Sequence, residues 1–121
     1  MFTAHVEETV EAAHSNGPPL HKCHNMHGHS WRIEATWKYT ETDLDDYGWG
    51  PDFGAVKSII RRLDHSGGDR GLNALFSFAP SAENIARWLF DEIRAGWHMH
   101  HLIVIVHEGK GNSVQYDQEE S

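Results

Sequence analysis

From Trp31 to Tyr39 apolar and polar residues alternate. Trp31, Ile33, Ala35, Trp37 and Tyr39 share one side of an extended chain, and Arg32, Glu34, Thr36 and Lys38 share the other. A period of two marks a strand with one face buried. Met1 to His14 is weakly patterned, but Thr9-Val10 leading into Ala12-Ala13-His14 suits another strand, broken by the loop Ser15-Asn16-Gly17-Pro18-Pro19. The period changes after the polar, acidic connection Thr40 to Pro51. Phe53, Val56, Ile59, Ile60 and Leu63 recur at helical spacing, with Asp52 placed to cap them. Ser81 opens a second helix, Glu83 lies in its first turn where an acid favours the dipole, and Gly96 ends it. Its apolar stripe is Ile85, Trp88, Leu89 and Ile93. His101 to Val106 is a β-branched run that reads as a buried strand with Glu108 at its exit. Gly109-Lys110-Gly111-Asn112 is a turn, and Ser113 to Tyr116 a short returning strand. The order ββααββ predicts an α+β fold, a four-stranded antiparallel sheet with two helices packed on one face. No repeat, low-complexity tract or linker interrupts it, so residues 1–121 read as a single domain.

The totals narrow the function classes. A chain of 121 residues with 39% hydrophobic and 23% charged residues has the make-up of a folded soluble protein. No apolar run approaches the length of a membrane span, and the acidic start Met1 to Glu11 is not a signal peptide. The single cysteine excludes an intrachain disulfide, fits a reducing cytoplasm and leaves Cys23 free to react. A formal charge of −8 argues against non-specific binding to nucleic acid or an anionic membrane. An anionic small substrate would need locally placed basic groups. Five tryptophans in so short a chain point to large apolar contacts, between subunits among them.

The candidate chemistry sits in Cys23-His24-Asn25-Met26-His27-Gly28-His29, which runs straight into the alternating strand. Residues two apart on a strand face the same way, so His27 and His29 aim two imidazoles at one point, with Gly28 adding no bulk between them. Imidazole is a common zinc ligand, and a catalytic zinc takes three protein ligands and one open position. Glu11-Ala12-Ala13-His14 offers the third from the preceding extended segment. Cys23, four residues before His27, is close enough to matter without being forced to bind. In a chain of 11 histidines His-x-His alone is weak; Cys23 and Ala-Ala-His14 strengthen it.

In order and spacing the following pieces resemble the 6-pyruvoyltetrahydropterin synthase and 6-carboxytetrahydropterin synthase family, over about Thr9 to Tyr116. They are Glu11-Ala12-Ala13-His14, Cys23-x-x-x-His27-Gly28-His29 and Gly50-x-Asp52-Phe53, then Leu63-Asp64-His65 and Leu72-Asn73. Pro80-Ser81-Ala82-Glu83-Asn84-Ile85-Ala86 and Glu108 complete them. The resemblance implies the tunnelling (T-) fold. The three-residue gap between Cys23 and His27 is similar to the carboxy branch, used in queuosine-type deazapurine synthesis; the pyruvoyl branch has a longer gap there. The substrate implied is 7,8-dihydroneopterin triphosphate, which loses triphosphate and acetaldehyde to give 6-carboxytetrahydropterin.

Residue by residue, the resemblance implies that His14, His27 and His29 hold Zn2+ and that Cys23 accepts a proton. His65, oriented by Asp64, would be the second acid/base. Glu108 would anchor the pterin's amino-pyrimidine edge and join the catalytic relay, with Ser81 and Glu83 as further substrate contacts. The chemistry suits these groups. Zinc is a Lewis acid toward side-chain oxygens, a histidine backed by a carboxylate has a fixed tautomer, and a carboxylate facing N–H donors makes charge-assisted hydrogen bonds. Plainer readings stand beside them: Asp64-His65 as a helix C-terminal turn, Glu108 as a solvated carboxylate, Ser81 and Glu83 as a helix start. Trp97-His98-Met99-His100-His101 matches no family ligand and reads as a loop and strand lead-in with incidental metal affinity. Gly109 stands where a threonine commonly follows the glutamate, and the Ser66 to Gly71 loop is longer than usual. Lys22, Arg70 and Lys110 are the basic candidates for the triphosphate.

Three alternatives are the pyruvoyl product, a cupin-like metal barrel built on His27, His29 and Glu34, and a non-catalytic zinc-stabilised T-fold module. Glu41 in place of a cupin glycine and the two helical stripes disfavour the barrel. Uncovered strand edges and the aromatic face of Trp31, Trp37 and Tyr39 suggest a homo-oligomer. The resemblance implies trimers or hexamers with active sites between subunits, Glu108 or the Pro80 to Glu83 segment completing a neighbour's zinc pocket. No nucleic-acid or membrane partner is expected.

Overall fold

A computed structural model describes residues 1–118 and places four strands in one antiparallel sheet, in the order β1-β2-β3-β4. They are β1 (Phe2–His14), β2 (His27–Tyr39), β3 (His101–Glu108) and β4 (Ser113–Asp117). Helix α1 (Phe53–Arg61), the single turn α2 (Leu72–Leu75) and helix α3 (Ala82–Gly96) lie between β2 and β3 in sequence. The expected α+β order is the observed one, with α2 added. That turn carries one deeply buried apolar anchor, Leu72, too little for a periodic signal.

The alternation in β2 is the centre of the core. Trp31, Ile33, Ala35 and Trp37 are each no more than 1% exposed, beneath Val56 and Ile60 of α1 and Ile85, Leu89 and Ile93 of α3. Each large side chain so buried contributes roughly 1.5–3 kcal/mol. The aromatic face that suggested a subunit contact is therefore the chain's own interior, because the helices lie across it. Both helices start as their sequences dictate: Asp52 Oδ1 accepts from Gly54 N at 3.1 Å and Ser81 Oγ accepts from Asn84 N at 3.2 Å.

β1 is longer than its pattern suggested, thirteen residues paired along their whole length with β2. Ala4, Val6, Val10, Ala12 and His14 all point into the core; Glu8, on the same side, hides the alternation. Its carboxylate meets Arg61 Nη2 at 2.6 Å at the end of α1, so the polar group is paired where it would otherwise be stranded.

The opposite face of the sheet carries a polar network. His107 Nε2 lies 2.6 Å from Glu34 Oε2, Arg32 Nη1 is 3.4 Å from both Glu7 and Glu34, and His5 Nδ1 is 2.9 Å from Thr36 Oγ1. The His107 hydrogen bond, with help from Arg32, holds the Glu34 carboxyl below its ordinary range. Asp43 and Asp64 are lowered too, chiefly by backbone N–H donors from Thr40 and Glu11. A carboxylate whose folded pKa is depressed stabilises the fold above its unfolded value and loses that contribution as pH falls through the folded one. Thermal unfolding followed from about pH 6 to about pH 3 is expected to show a midpoint that falls below about pH 4. Glu34→Gln should make that fall shallower; an unchanged profile would remove Glu34 from the account.

Candidate active site

Three histidines and a glutamate converge at one end of the sheet because of strand register. β1 and β2 pair His14 with His27 and Ala12 with His29, and β2 and β3 pair Trp31 with Glu108. All four side chains lie on the helix-facing side. Ring centroids are 4.6 Å apart for His14–His27, 4.8 Å for His27–His29 and 5.2 Å for His14–His29, with Trp31 packed edge-on against His14 and His29. One ligand atom from each of His14, His27, His29 and Glu108 lies within 4.8 Å of the others. A tetrahedral site with bonds near 2.1 Å needs separations of about 3.4 Å, a small adjustment away.

Backbone carbonyls fix which nitrogens face inward. His14 Nδ1 donates to Pro80 O at 2.6 Å and His27 Nδ1 donates to Asn25 O at 2.7 Å, leaving Nε2 of each ring as the acceptor. This is the outer-shell arrangement that orients metal-binding imidazoles. His14 Nε2 and His29 Nε2 are buried and make no hydrogen bond within the protein, although His29 Nε2 stands 3.3 Å from Glu108 Oε1. Buried polar atoms without partners are uncommon, and a cation supplies the partner that both lack. Burial outweighs the Pro80 hydrogen bond and, with the neighbouring His27 and His29, holds the His14 pKa below its ordinary value. The shift favours the neutral imidazole, the form that binds metal. The donor set fits a metal ion.

Cys23 is half-buried on an otherwise exposed 3₁₀ turn, Lys22–His24, outside that ligand set. Asn16 N donates to Cys23 O at 2.9 Å, and Cys23 N donates to His21 Nδ1 at 3.0 Å. Asn73 was a matched piece without a role in the sequence; the structure gives it one. Its side chain accepts from Ser15 N and donates to Ser15 O, both at 2.8 Å, and Ser15 Oγ donates to His24 O. Asn73 thereby fastens the chain between His14 and the turn that bears Cys23.

Asp64 and His65 clasp the outer edge of β1. Glu11 N donates to Asp64 Oδ1 at 2.8 Å and His65 N donates to Glu11 O at 2.7 Å, while His65 Nδ1 sits 3.1 Å from Asp64 Oδ2. His65 is the one non-glycine with a left-handed backbone among the described residues, at φ 51°, a conformation that marks a constrained position. Its side chain is 76% exposed. A cavity of about 430 Å3 is lined by both His65 and His29, with Glu11, Gly28 and Ser30 also on its walls. Ser66, Gly68 and Gly71 of the long loop also line it. Gly71 (φ 54°) lies so close to β1 that a Cβ there would sit 2.1 Å from Ala13 O, so only glycine lets the loop approach.

On the other side, Glu108 and Glu83 share a smaller cavity of about 190 Å3 with Ala82, Asn112 and Ser113. Ser81 is engaged as the α3 cap. Glu108 stands beside His29, and the Pro80 carbonyl orients His14, within the same chain. Lys22, Arg70 and Lys110 are all exposed and outside these walls.

Fold and site together define a T-fold protein with a candidate metal centre where β1, β2 and β3 meet α3. A model of the family described as 6-pyruvoyl tetrahydropterin synthase matches residues 3–119, and the chain belongs to that family. Among solved structures, the Caenorhabditis elegans 6-pyruvoyl tetrahydropterin synthase aligns with a TM-score of 0.71 at 18% identity, covering 98% of this chain and 96% of that one. The Plasmodium falciparum enzyme aligns at 0.59 and 15% identity, covering 96% and 98% of the two chains. The Plasmodium vivax enzyme aligns at 0.58 and 15%, covering 99% and 100%. At such identities the likeness establishes the fold. No curated protein sequence matches the chain. No helix among the described residues is long and apolar enough to cross a membrane.

Proposed function

We propose that this chain is a 6-carboxytetrahydropterin synthase of a queuosine-type deazapurine pathway, acting as a single cytoplasmic domain. It would convert 7,8-dihydroneopterin triphosphate to 6-carboxytetrahydropterin with release of triphosphate and acetaldehyde. The observation that carries the reading is the convergence of His14, His27 and His29 while Cys23, four residues before His27, stays outside the ligand set. His14, His27 and His29 would hold zinc through Nε2, oriented in two cases by carbonyls. When bound there, zinc supplies Lewis acidity toward the hydroxyls of the substrate side chain.

The remaining work falls to the chain's own groups. Cys23 accepts a proton from a carbon bearing a hydroxyl. His65, its ring held by Asp64, passes protons as the second acid/base. Glu108 accepts from the amino and ring N–H donors of the pterin, which seats it beside His29. Glu83, across the small cavity from Glu108, is the further substrate contact. His65 is too exposed in one chain for an acid/base group in a closed site, which supports a homo-oligomer, a trimer or hexamer, that covers it. Light scattering at assay concentration should then show an oligomer, and an active monomer would count against it.

Incubation with 7,8-dihydroneopterin triphosphate and mass analysis of the products tests the reading. Acetaldehyde and 6-carboxytetrahydropterin are expected. The second reading, a 6-pyruvoyltetrahydropterin synthase, draws on the family description and would show as the pyruvoyl product. No turnover by zinc-loaded protein would leave a non-catalytic zinc-stabilised T-fold.

A further inference from the structure

A second group of metal-ligating side chains stands at the far end of β2, away from the active-site cluster. Asp43 closes the 3₁₀ turn Glu41–Asp43 in the acidic connection, and His98 and His100 flank Met99 in the loop that leads into β3. One ligand atom from each lies within 4.8 Å of the others. His98 Nδ1 is 3.0 Å from Asp43 Oδ1, His100 Nε2 is 4.0 Å from Asp43 Oδ2, and the two rings are 5.1 Å apart at 79°.

The three groups are held in place from behind. Asp43 Oδ2 accepts from Thr40 N at 2.8 Å and from Thr40 Oγ1 at 3.2 Å, and the carboxylate is only 15% exposed. The Thr40 backbone hydrogen bond, followed by that from His98, keeps its pKa below the ordinary value. Between the histidines, Met99 is buried, its carbonyl accepts from Arg94 Nη1 at 2.8 Å, and His100 N donates to Lys38 O at 2.8 Å. The His-x-His unit is therefore anchored to both α3 and β2. A cavity of about 450 Å3 adjoins it, with Asp45, Trp49, Asp52 and Trp97 on its walls and room for water on an ion's free positions.

A plain hydrogen bond between His98 and Asp43 explains one histidine but not the other. At 4.0 Å, His100 Nε2 is beyond hydrogen-bond reach of the carboxylate it faces. The two carboxylate oxygens stand 3.0 Å from His98 and 4.0 Å from His100, a small adjustment from the about 3.4 Å that an ion with bonds near 2.1 Å imposes on its ligands. Imidazole nitrogen with one carboxylate favours zinc, cobalt, nickel or copper over magnesium or calcium. The third such cluster, His5, Glu7 and Glu34, differs because Glu34 is already taken up by His107 at 2.6 Å and Arg32 at 3.4 Å.

We propose that Asp43, His98 and His100 form a second metal site, which takes a divalent transition-metal cation and ties the acidic 40–51 connection to the start of β3. The site is more exposed than the His14 cluster, and its ion exchanges readily with solution.

Equilibrium dialysis of the metal-free full chain against Co2+ tests this by counting ions per chain. His98→Ala/His100→Ala protein is expected to bind one ion fewer than wild type, with an unchanged far-ultraviolet dichroism spectrum. His27→Ala/His29→Ala protein is expected to keep the ion at this second site. Asp43→Asn should weaken the second site at least tenfold. Equal stoichiometry and affinity in wild type and His98→Ala/His100→Ala would overturn the proposal. If the double variant does not fold, His98→Ala alone, at a side chain 69% exposed, serves instead: binding weakened at least tenfold upholds the site, and unchanged binding overturns it.

Discussion

His27→Ala and His29→Ala are each expected to lower tightly bound zinc from about one ion per chain to nearly none, and turnover with it. Removing even an outer partner of a metal-bound histidine costs roughly 10–100-fold in affinity, so losing a direct ligand should cost more. Register makes the argument specific: His27 is fixed opposite His14 and His29 opposite Ala12, so no neighbouring side chain on either strand can take over. Glu108, at 3.3 Å from His29, is the one additional oxygen in the cluster, and with two imidazoles left it gives a weaker set. Metal analysis after dialysis against a weak chelator reads the result and removes ions from exposed sites. Stability adds a second readout. Zinc at 1,000 times its Kd stabilises the folded chain by about 4 kcal/mol, and the variants should lose that increment. Stoichiometric zinc in both variants would refute the ligand assignment.

What could be read from the sequence, and what could not, follows from the kind of interaction involved. The β2 alternation from Trp31 to Tyr39 and the stripes in α1 and α3 were legible because burial imposes a period. The same alternation did not say what covers the face, and Trp31 and Trp37 proved to lie under the chain's own helices. β1 was half-hidden because Glu8 interrupts its buried side, and only the fold brings Arg61 to it, 53 positions away. His27-x-His29 was legible as a pair because strand geometry is local. His14 joins them through register, and the carbonyls of Pro80 and Asn25 that aim the rings leave no trace in residue type. Asp64-His65 is visible as a motif, but its clasp on the Glu11 backbone is made only in the fold. Asn73 was recognised as part of a pattern, and its reason is the two-bond grip on Ser15.

Cys23→Ala is expected to keep the fold and bound zinc and to lose most turnover of 7,8-dihydroneopterin triphosphate. The structural half of the expectation rests on where the thiol sits. Cys23 is half-buried on an exposed turn held by its backbone, through Asn16 N and His21 Nδ1, and its neighbours are held by Ser15 and Asn73. None of those contacts uses the side chain, so truncation leaves the turn in place. The metal half rests on Cys23 lying outside the four-residue ligand set, so zinc content should match wild type. The catalytic half rests on its proposed role as base, and a positioned base typically contributes on the order of 10²–10⁴-fold. His65 cannot substitute for it, since its ring is turned toward Asp64 at the opposite edge of β1. Cys23→Ser separates the alternatives: a hydroxyl fills the same space but is a far weaker base near neutral pH. If the serine variant is as impaired as the alanine one while both keep zinc and melt like wild type, the loss is one of proton transfer. Wild-type turnover in a folded, zinc-loaded Cys23→Ala protein would place the base elsewhere.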